Sequence, residues 1–295
     1  ALGITPITNL SFSPGSYLLV INAPGYADVR YPVLVKRGAS SQINIDLLPE
    51  SKIPHGFVYI PPGKFLVGTA ADESTRQSFL STIPIHEAET GGYLIARHET
   101  TFEEWIEHLQ ALPAEQRALQ ELTSANTGGG VDLKLLPSGQ WQLTIRTGDK
   151  VISATGDQKM VYPPRKHRRE QVWQKFPVLG VSLAAAKRYA EALHTSGRVP
   201  GARLCTEYEW ERAARGADDR EYPHGYTLTG DEANYDEAYA KDPLTVGPDE
   251  VGSHPQSISP FNILDMAGNA VEWVMPVIDP SESVARSGAF YIAAI

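Results

Sequence analysis

The sequence predicts an α+β protein: a small all-β sandwich, then a larger domain of short strands, few helices and many loops. Three observations predict it. The 25 glycines and 22 prolines among 295 residues interrupt backbone hydrogen bonding too often for long regular elements. Residues 1–49 alternate apolar and polar side chains with the period of two that a half-buried strand shows. Three later segments carry apolar residues at helical spacing behind a capping side chain.

In the first module, "SYLLVINA" and "YPVLVKRG" read as strands. Pro14-Gly15 and Pro24-Gly25-Tyr26 mark the reversals, and "QINIDLL" closes the run as a further strand. Residues 50–56, within "LPESKIPHG", read as a linker, and the larger domain spans 57–295. There "FVYIPPGKFLVG" places two apolar runs around Pro61-Pro62-Gly63, which predicts a hairpin. A strand over Gly92–Arg97 leads into a helix capped by Thr101, with Glu104 placed to reach back and Trp105, Ile106 and Leu109 on one face. Residues from about 114 to 172 read as an insertion holding a glycine-rich turn, the hairpin-like "LKLLPSGQWQLTIRTG" and the basic loop "RKHRRE". A second helix runs from the cap Ser182 through Ala185, Tyr189 and Leu193 to a stop at Gly197. A third begins after Thr206, with Glu209 completing a capping box and Cys205 one residue before the cap. In it Glu209, Glu211, Arg212 and Arg215 brace the scaffold, while Trp210 and Ala213 or Ala214 face the core.

Twenty-six basic against 35 acidic residues give a net charge of -9, a field that repels nucleic-acid backbones. "RKHRRE" has no interleaved aromatics and reads as a solvated loop. One cysteine excludes an internal disulfide. No apolar run is long enough to cross roughly 30 Å of hydrocarbon. The chain opens on Ala1 without a leader, which suggests that upstream targeting sequence is missing. The expected location is the cytoplasm or the outer side of a membrane-anchored protein.

Several motifs occur in a set order: "FVYIPPGKFLVG", "RHETTFEEWIEHL", "PVLGVSLAAAKRYAEAL", "RLCTEYEWERAARG", "YPHG", "ANYDEAY", "VGSHPQSISPFNILDMAGNAVEW" and "RSGAFY". In that order they resemble the formylglycine-generating enzyme (sulfatase-modifying factor) domain, from Phe57 to the end apart from the insertion. The resemblance implies a C-type-lectin-like formylglycine-generating-enzyme fold. "PGSYLLVINAPGYADVRYPVLVKRG" resembles the PEGA module. The tandem resembles the C-terminal regions of bacterial serine/threonine protein kinases, although no kinase signature lies in this chain.

Enzymes of this family bind copper through a cysteine pair whose first member follows the "R-G-G-S" turn. That turn reads Arg286-Ser287-Gly288-Ala289 here, and Ile292 stands at the cysteine's place, where an alkyl group offers copper no soft ligand. The second position would fall beyond Ile295. The resemblance therefore implies a catalytically deficient member without copper, in which Cys205 is a packing side chain. His55, His86, His98, His108, His167, His194, His224 and His254 are too scattered to suggest the three-histidine iron site of a related enzyme.

Calcium is the expected ion. Asp265 and Glu272 flank the Ala267-Gly268-Asn269 turn, so carboxylates and carbonyls converge as a hard cation requires. By resemblance, Asp265, Gly268, Ala270 and Glu272 form the first calcium site, and Asn234, Tyr235 and Asp242 a second. Arg286, Tyr222, His224 and Trp273 are the candidates for binding an unknown protein or peptide ligand on the loop-covered face. The expected function is a non-catalytic binding or sensory module joined to an upstream kinase or other signalling domain. An oxidase acting on a thiol substrate and a calcium-stabilised adhesive surface domain are the alternatives.

Overall fold

The computed structural model describes residues 2–70, 83–123, 125, 127, 128, 130–147, 150–242, 244–277 and 283–288. They form an α+β protein whose strands pair in sheets of two or three, with four α-helices among the described residues and long connecting loops.

In the N-terminal module, expected as a small β-sandwich, the strands among the described residues pair as one hairpin. Strands β1 (Gly15–Ile21) and β2 (Val29–Val35) pair antiparallel, with Gly15 opposite Val35 and Ile21 opposite Val29. Among the described residues "QINIDLL" joins no sheet. Two strands cannot bury a face between themselves, so this pair uses the larger domain as its second layer. Val29 and Pro32 are buried there, Arg30 Nε donates to the Pro260 carbonyl at 2.7 Å and Lys36 pairs with Glu87 at 2.9 Å. The expected linker is a folded strap: Ala27 N–H donates to the Leu48 carbonyl, and Glu50–Lys52 form a 3-10 turn.

The reversal at Pro61-Pro62 makes no hairpin either. Strand β3 (Phe57–Ile60) pairs with β6 (Tyr93–Ala96), and β4 (Gly63–Val67) with β5 (His86–Thr90). Ile60 faces Tyr93 and Gly63 faces Thr90, so one antiparallel register continues across a two-residue gap on each side. The prolines have no N–H to donate, and the gap opposite them is Gly91-Gly92.

Helix α1 (Phe102–Ala111) starts at a complete capping box of Thr101 and Glu104, and a short α2 (Ala114–Ala118) follows. The insertion then supplies a three-stranded antiparallel sheet of β7 (Val131–Leu135), β8 (Trp141–Thr147) and β9 (Lys150–Thr155). Its inner face packs Leu133, Trp141, Leu143 and Ile145 against Phe102, Trp105 and Leu109 of α1 and against Trp173. The segment therefore forms half of the main core. Strands β10 (Met160–Val161) and β11 (Glu170–Gln171) hold the basic loop between them.

Helix α3 (Leu183–Thr195) is capped by Ser182, and Gly197 beyond its end adopts φ +75°. Helix α4 (Glu207–Arg215) starts at the Thr206–Glu209 capping box. Its Trp210, Ala213 and Ala214 join Ile60, Phe261, Ile263, Met266 and Val274 in a second core, while Glu211 and Arg215 pair at 2.7 Å. Strands β12 (Glu272–Val274) and β13 (Val284–Arg286) form an antiparallel pair beside it.

Candidate functional site

The turn "LDMAGN" organises the region. Asp265, Gly268 and Asn269 have φ of +57°, +81° and +61°, and Gly268 makes a parallel bridge to Asn234. A Cβ on Gly268 would overlap the Asn234 carbonyl, so only glycine permits this approach. The buried Asn269 side chain then links three segments. Its Oδ1 accepts from Asn234 Nδ2 and from Asp249 N–H, each at 3.0 Å, and its Nδ2 donates to the Asp249 carbonyl at 3.3 Å.

Three carboxylates converge on this turn. Burial pushes the Glu272 carboxyl up to about 7, with Asp265 adding to the rise. Burial raises Asp265 as well. Glu99 is raised well above its ordinary value, through burial and then the repulsion of Asp265 and Glu272. Its Oε1 is buried without a hydrogen-bond partner. Glu99 escaped sequence reasoning because it lies in "RHET", and no spacing rule connects that strand end to a turn so far along the chain. The Thr101 capping box, which starts a helix two residues later, is the nearest local signal.

Acids raised in this way lack a counter-charge, which is the chemistry a hard cation satisfies. Asp265 and Glu272, with the carbonyls of Gly268 and Ala270, fit calcium in donor type. Among the described residues no three His, Cys, Asp or Glu side chains form a metal-binding group on their own, so the backbone carbonyls would have to complete the set.

Of the residues of the second expected calcium site, Asn234 and Tyr235 are adjacent, with Asn234 Oδ1 buried and without a hydrogen-bond partner, and Asp242 follows the Asp236–Tyr239 3-10 turn. Asn234 points Nδ2 at Asn269 and the Gly247 carbonyl and Tyr235 is buried. Asp242 Oδ1 accepts from Leu244 N–H at 2.9 Å within its own turn.

The ligand candidates separate into two pairs. Trp273 and Arg286 share the β12–β13 hairpin. Trp273 Nε1 donates to the Val181 carbonyl at 2.7 Å, and Arg286 pairs with Glu207 at 2.8 Å and with Glu211 at 3.4 Å. Tyr222 and His224 lie in another turn with ring centroids 6.3 Å apart, and His224 Nε2 faces Glu232 at 3.4 Å. Ile292 lies outside the described residues. Cys205 packs against the second core, its carbonyl accepts from Met275 N–H at 2.8 Å, and burial pushes its thiol well above the usual range.

The basic loop departs most from expectation. Arg165 is buried, with its guanidinium 3.7 Å from the Tyr162 ring centre and 3.8 Å from that of Tyr239. Nη1 pairs with Asp249 at 2.5 Å, Nε donates to the Thr245 carbonyl at 2.6 Å and Nη2 to the Gly247 carbonyl at 2.8 Å. Asp249 also holds His254 Nε2 at 2.8 Å and the Tyr239 hydroxyl at 2.7 Å. A cation so neutralised and stacked is stable in the interior, so this part of "RKHRRE" anchors the loops behind Asn269 instead of facing water.

The profile of the Sulfatase-modifying factor enzyme 1-like domain matches residues 46–293. The chain belongs to that family. A PEGA domain matches residues 1–51, so the two modules meet at the strap. Among curated proteins, the serine/threonine-protein kinase pkn1 of Chlamydia caviae is 27% identical over 218 residues, covering 73% of this chain and 27% of the kinase. Pkn1 of Chlamydia trachomatis serovar L2 is 23% identical over 256 residues, covering 85% and 33% respectively. The chain thus spans a third or less of these relatives. Among solved structures, PvdO from Pseudomonas aeruginosa shares the fold with a TM-score of 0.50 and 21% identity, covering 79% of this chain and 82% of that one. The sulfatase-modifying-factor domain described here has no helix, among the described residues, long and apolar enough to cross a membrane.

Proposed function

We propose that this chain is a non-catalytic binding or sensory module linked to a serine/threonine kinase, with calcium bracing its loop region through Asp265, Gly268, Ala270 and Glu272. The observation that carries the reading is the state of the chain's single thiol. Cys205 is packed against the second core, held away from thiolate by burial, and its segment is fixed by the bridge from Thr206 to Met275. A thiol in that condition is neither a nucleophile nor a copper ligand, because both roles require the thiolate. The similarity to kinases supports the linkage to a signalling protein. The Arg286–Trp273 hairpin is the surface this reading assigns to a peptide or protein partner.

The test is to incubate the protein with a cysteine-containing sulfatase-motif peptide, copper(I) and oxygen beside an active family enzyme. An unchanged peptide mass is expected. Conversion of the cysteine to formylglycine overturns the reading.

A further inference from the structure

We propose that the cleft between the N-terminal hairpin and the larger domain binds a small organic carboxylate with an apolar body. The cleft encloses about 300 Å³, the lower end of the range that holds small ligands. One wall is Ser16, Leu18 and Arg30 of the hairpin, and the other is Asp218, Arg220 and Ile258 of the domain.

Among the described residues the arginines and the carboxylate on these walls leave one cation unmatched. Arg220 is neutralised by Asp218 through Nε at 2.6 Å and Nη2 at 2.8 Å, and its Nη1 donates to the Pro223 carbonyl at 3.2 Å. Ser16 also hydrogen-bonds Asp218. Among the described residues Arg30 bonds only through Nε, to the Pro260 carbonyl, and none takes its Nη1 or Nη2. Among the described residues Asp218 is the single acidic residue lining the cleft, and Arg220 already occupies it.

A guanidinium fixed through Nε and free at both Nη groups presents the planar fork that a carboxylate accepts bidentately. Leu18, Pro32, Val33, Ile258 and Pro260 give an aryl or alkyl body an apolar part of the lining, beside the polar His224, Gln256 and Ser259. One unmatched cation balances one negative charge, which favours a monocarboxylate over a phosphate dianion. This cleft is separate from the Arg286–Trp273 hairpin and does not depend on the preceding reading. Because its walls come from two modules, an occupant would hold the hairpin to the domain.

The experiment is nuclear magnetic resonance titration of the ¹⁵N-labelled chain with phenylacetate and with hexanoate, using phenylacetamide as the neutral isostere. Saturable shifts are expected along β1, β2 and residues 256–260, with the amide roughly ten-fold or more weaker because it lacks the charge-assisted pair. Arg30→Gln should lose binding. Since that change also removes the bond to Pro260, Leu18→Trp provides an independent variant that fills the cleft and leaves Arg30 in place, and it should lose binding too. Val20→Trp, on the same strand but outside the cleft lining, should bind as the parent does. The proposal is overturned by the absence of saturable shifts with both carboxylates, by equal affinity for the amide, or by unchanged binding in Leu18→Trp.

Discussion

Replacing Arg165 by methionine keeps the length and most of the apolar stem of the side chain but removes its charge and its forked donors. In the parent protein that guanidinium pairs with Asp249, donates to two carbonyls and lies between two tyrosine rings. Without it Asp249 remains buried, supported by His254, Tyr239 and Gln171 but without its permanent cation. Breaking one side of a buried ion pair costs about 3–5 kcal/mol. At about 2–4 °C per kcal/mol for a domain of this size, the melting temperature should fall by about 6–20 °C. Calorimetry gives the shift directly, and urea unfolding gives the free energy. The double variant Arg165→Met with Asp249→Asn removes the stranded charge and should cost less than the sum of the two single changes, since contacting residues couple. A loss below about 1 kcal/mol for Arg165→Met would refute the buried network, because that is the range of a solvated surface arginine.

Further outcomes follow from the turn and its acids. Gly268→Ala forces a β-carbon into the Asn234 backbone at φ +81° and should destabilise by at least about 2 kcal/mol in urea unfolding, through positive-φ strain and overlap together. Glu272 holds its proton up to about pH 7 in the fold, against 4.5 as its ordinary value. The folded state therefore binds the extra proton between those values, and the stability Glu272 contributes is full below about pH 4.5 and lost as pH rises through about 7. Melting temperatures across that window, measured without calcium, should fall with pH in the parent and fall less steeply in Glu272→Gln, where Glu99 and Asp265 still titrate. At pH 8, calcium should raise the parent's melting temperature and a chelator should reverse the rise, since a ligand of the native state stabilises by mass action. Cys205 should resist a disulfide reagent in the folded protein and react at once in denaturant, and Cys205→Ala should retain the fold.

How much of this was legible in the sequence depends on the range of each interaction. The caps at Thr101, Ser182 and Thr206 were legible because capping is settled within three residues. The Gly268 turn was legible for the same reason, through its glycine and flanking acids. Arg165 was not: six residues give a charge run, and only the packing of residues 239–249 against it decides that one of its cations is interior. Glu99 was hidden in the same way, as a strand-end acid whose neighbours come from the far end of the chain. The Pro61-Pro62 reversal misled because a break in hydrogen bonding leaves the same local signature whether the chain turns back or runs straight on.

The N-terminal hairpin also affects how the protein can be divided. Its inward face rests on Pro260 and on Gly216, where even a methyl group would come within 3.1 Å of Pro32. Cutting the chain at the strap would leave a two-stranded ribbon with no layer beneath it and an uncovered floor on the other piece. Sequence matching separates the modules near residue 50, but the packing at Pro32, Gly216 and Pro260 joins them across that boundary.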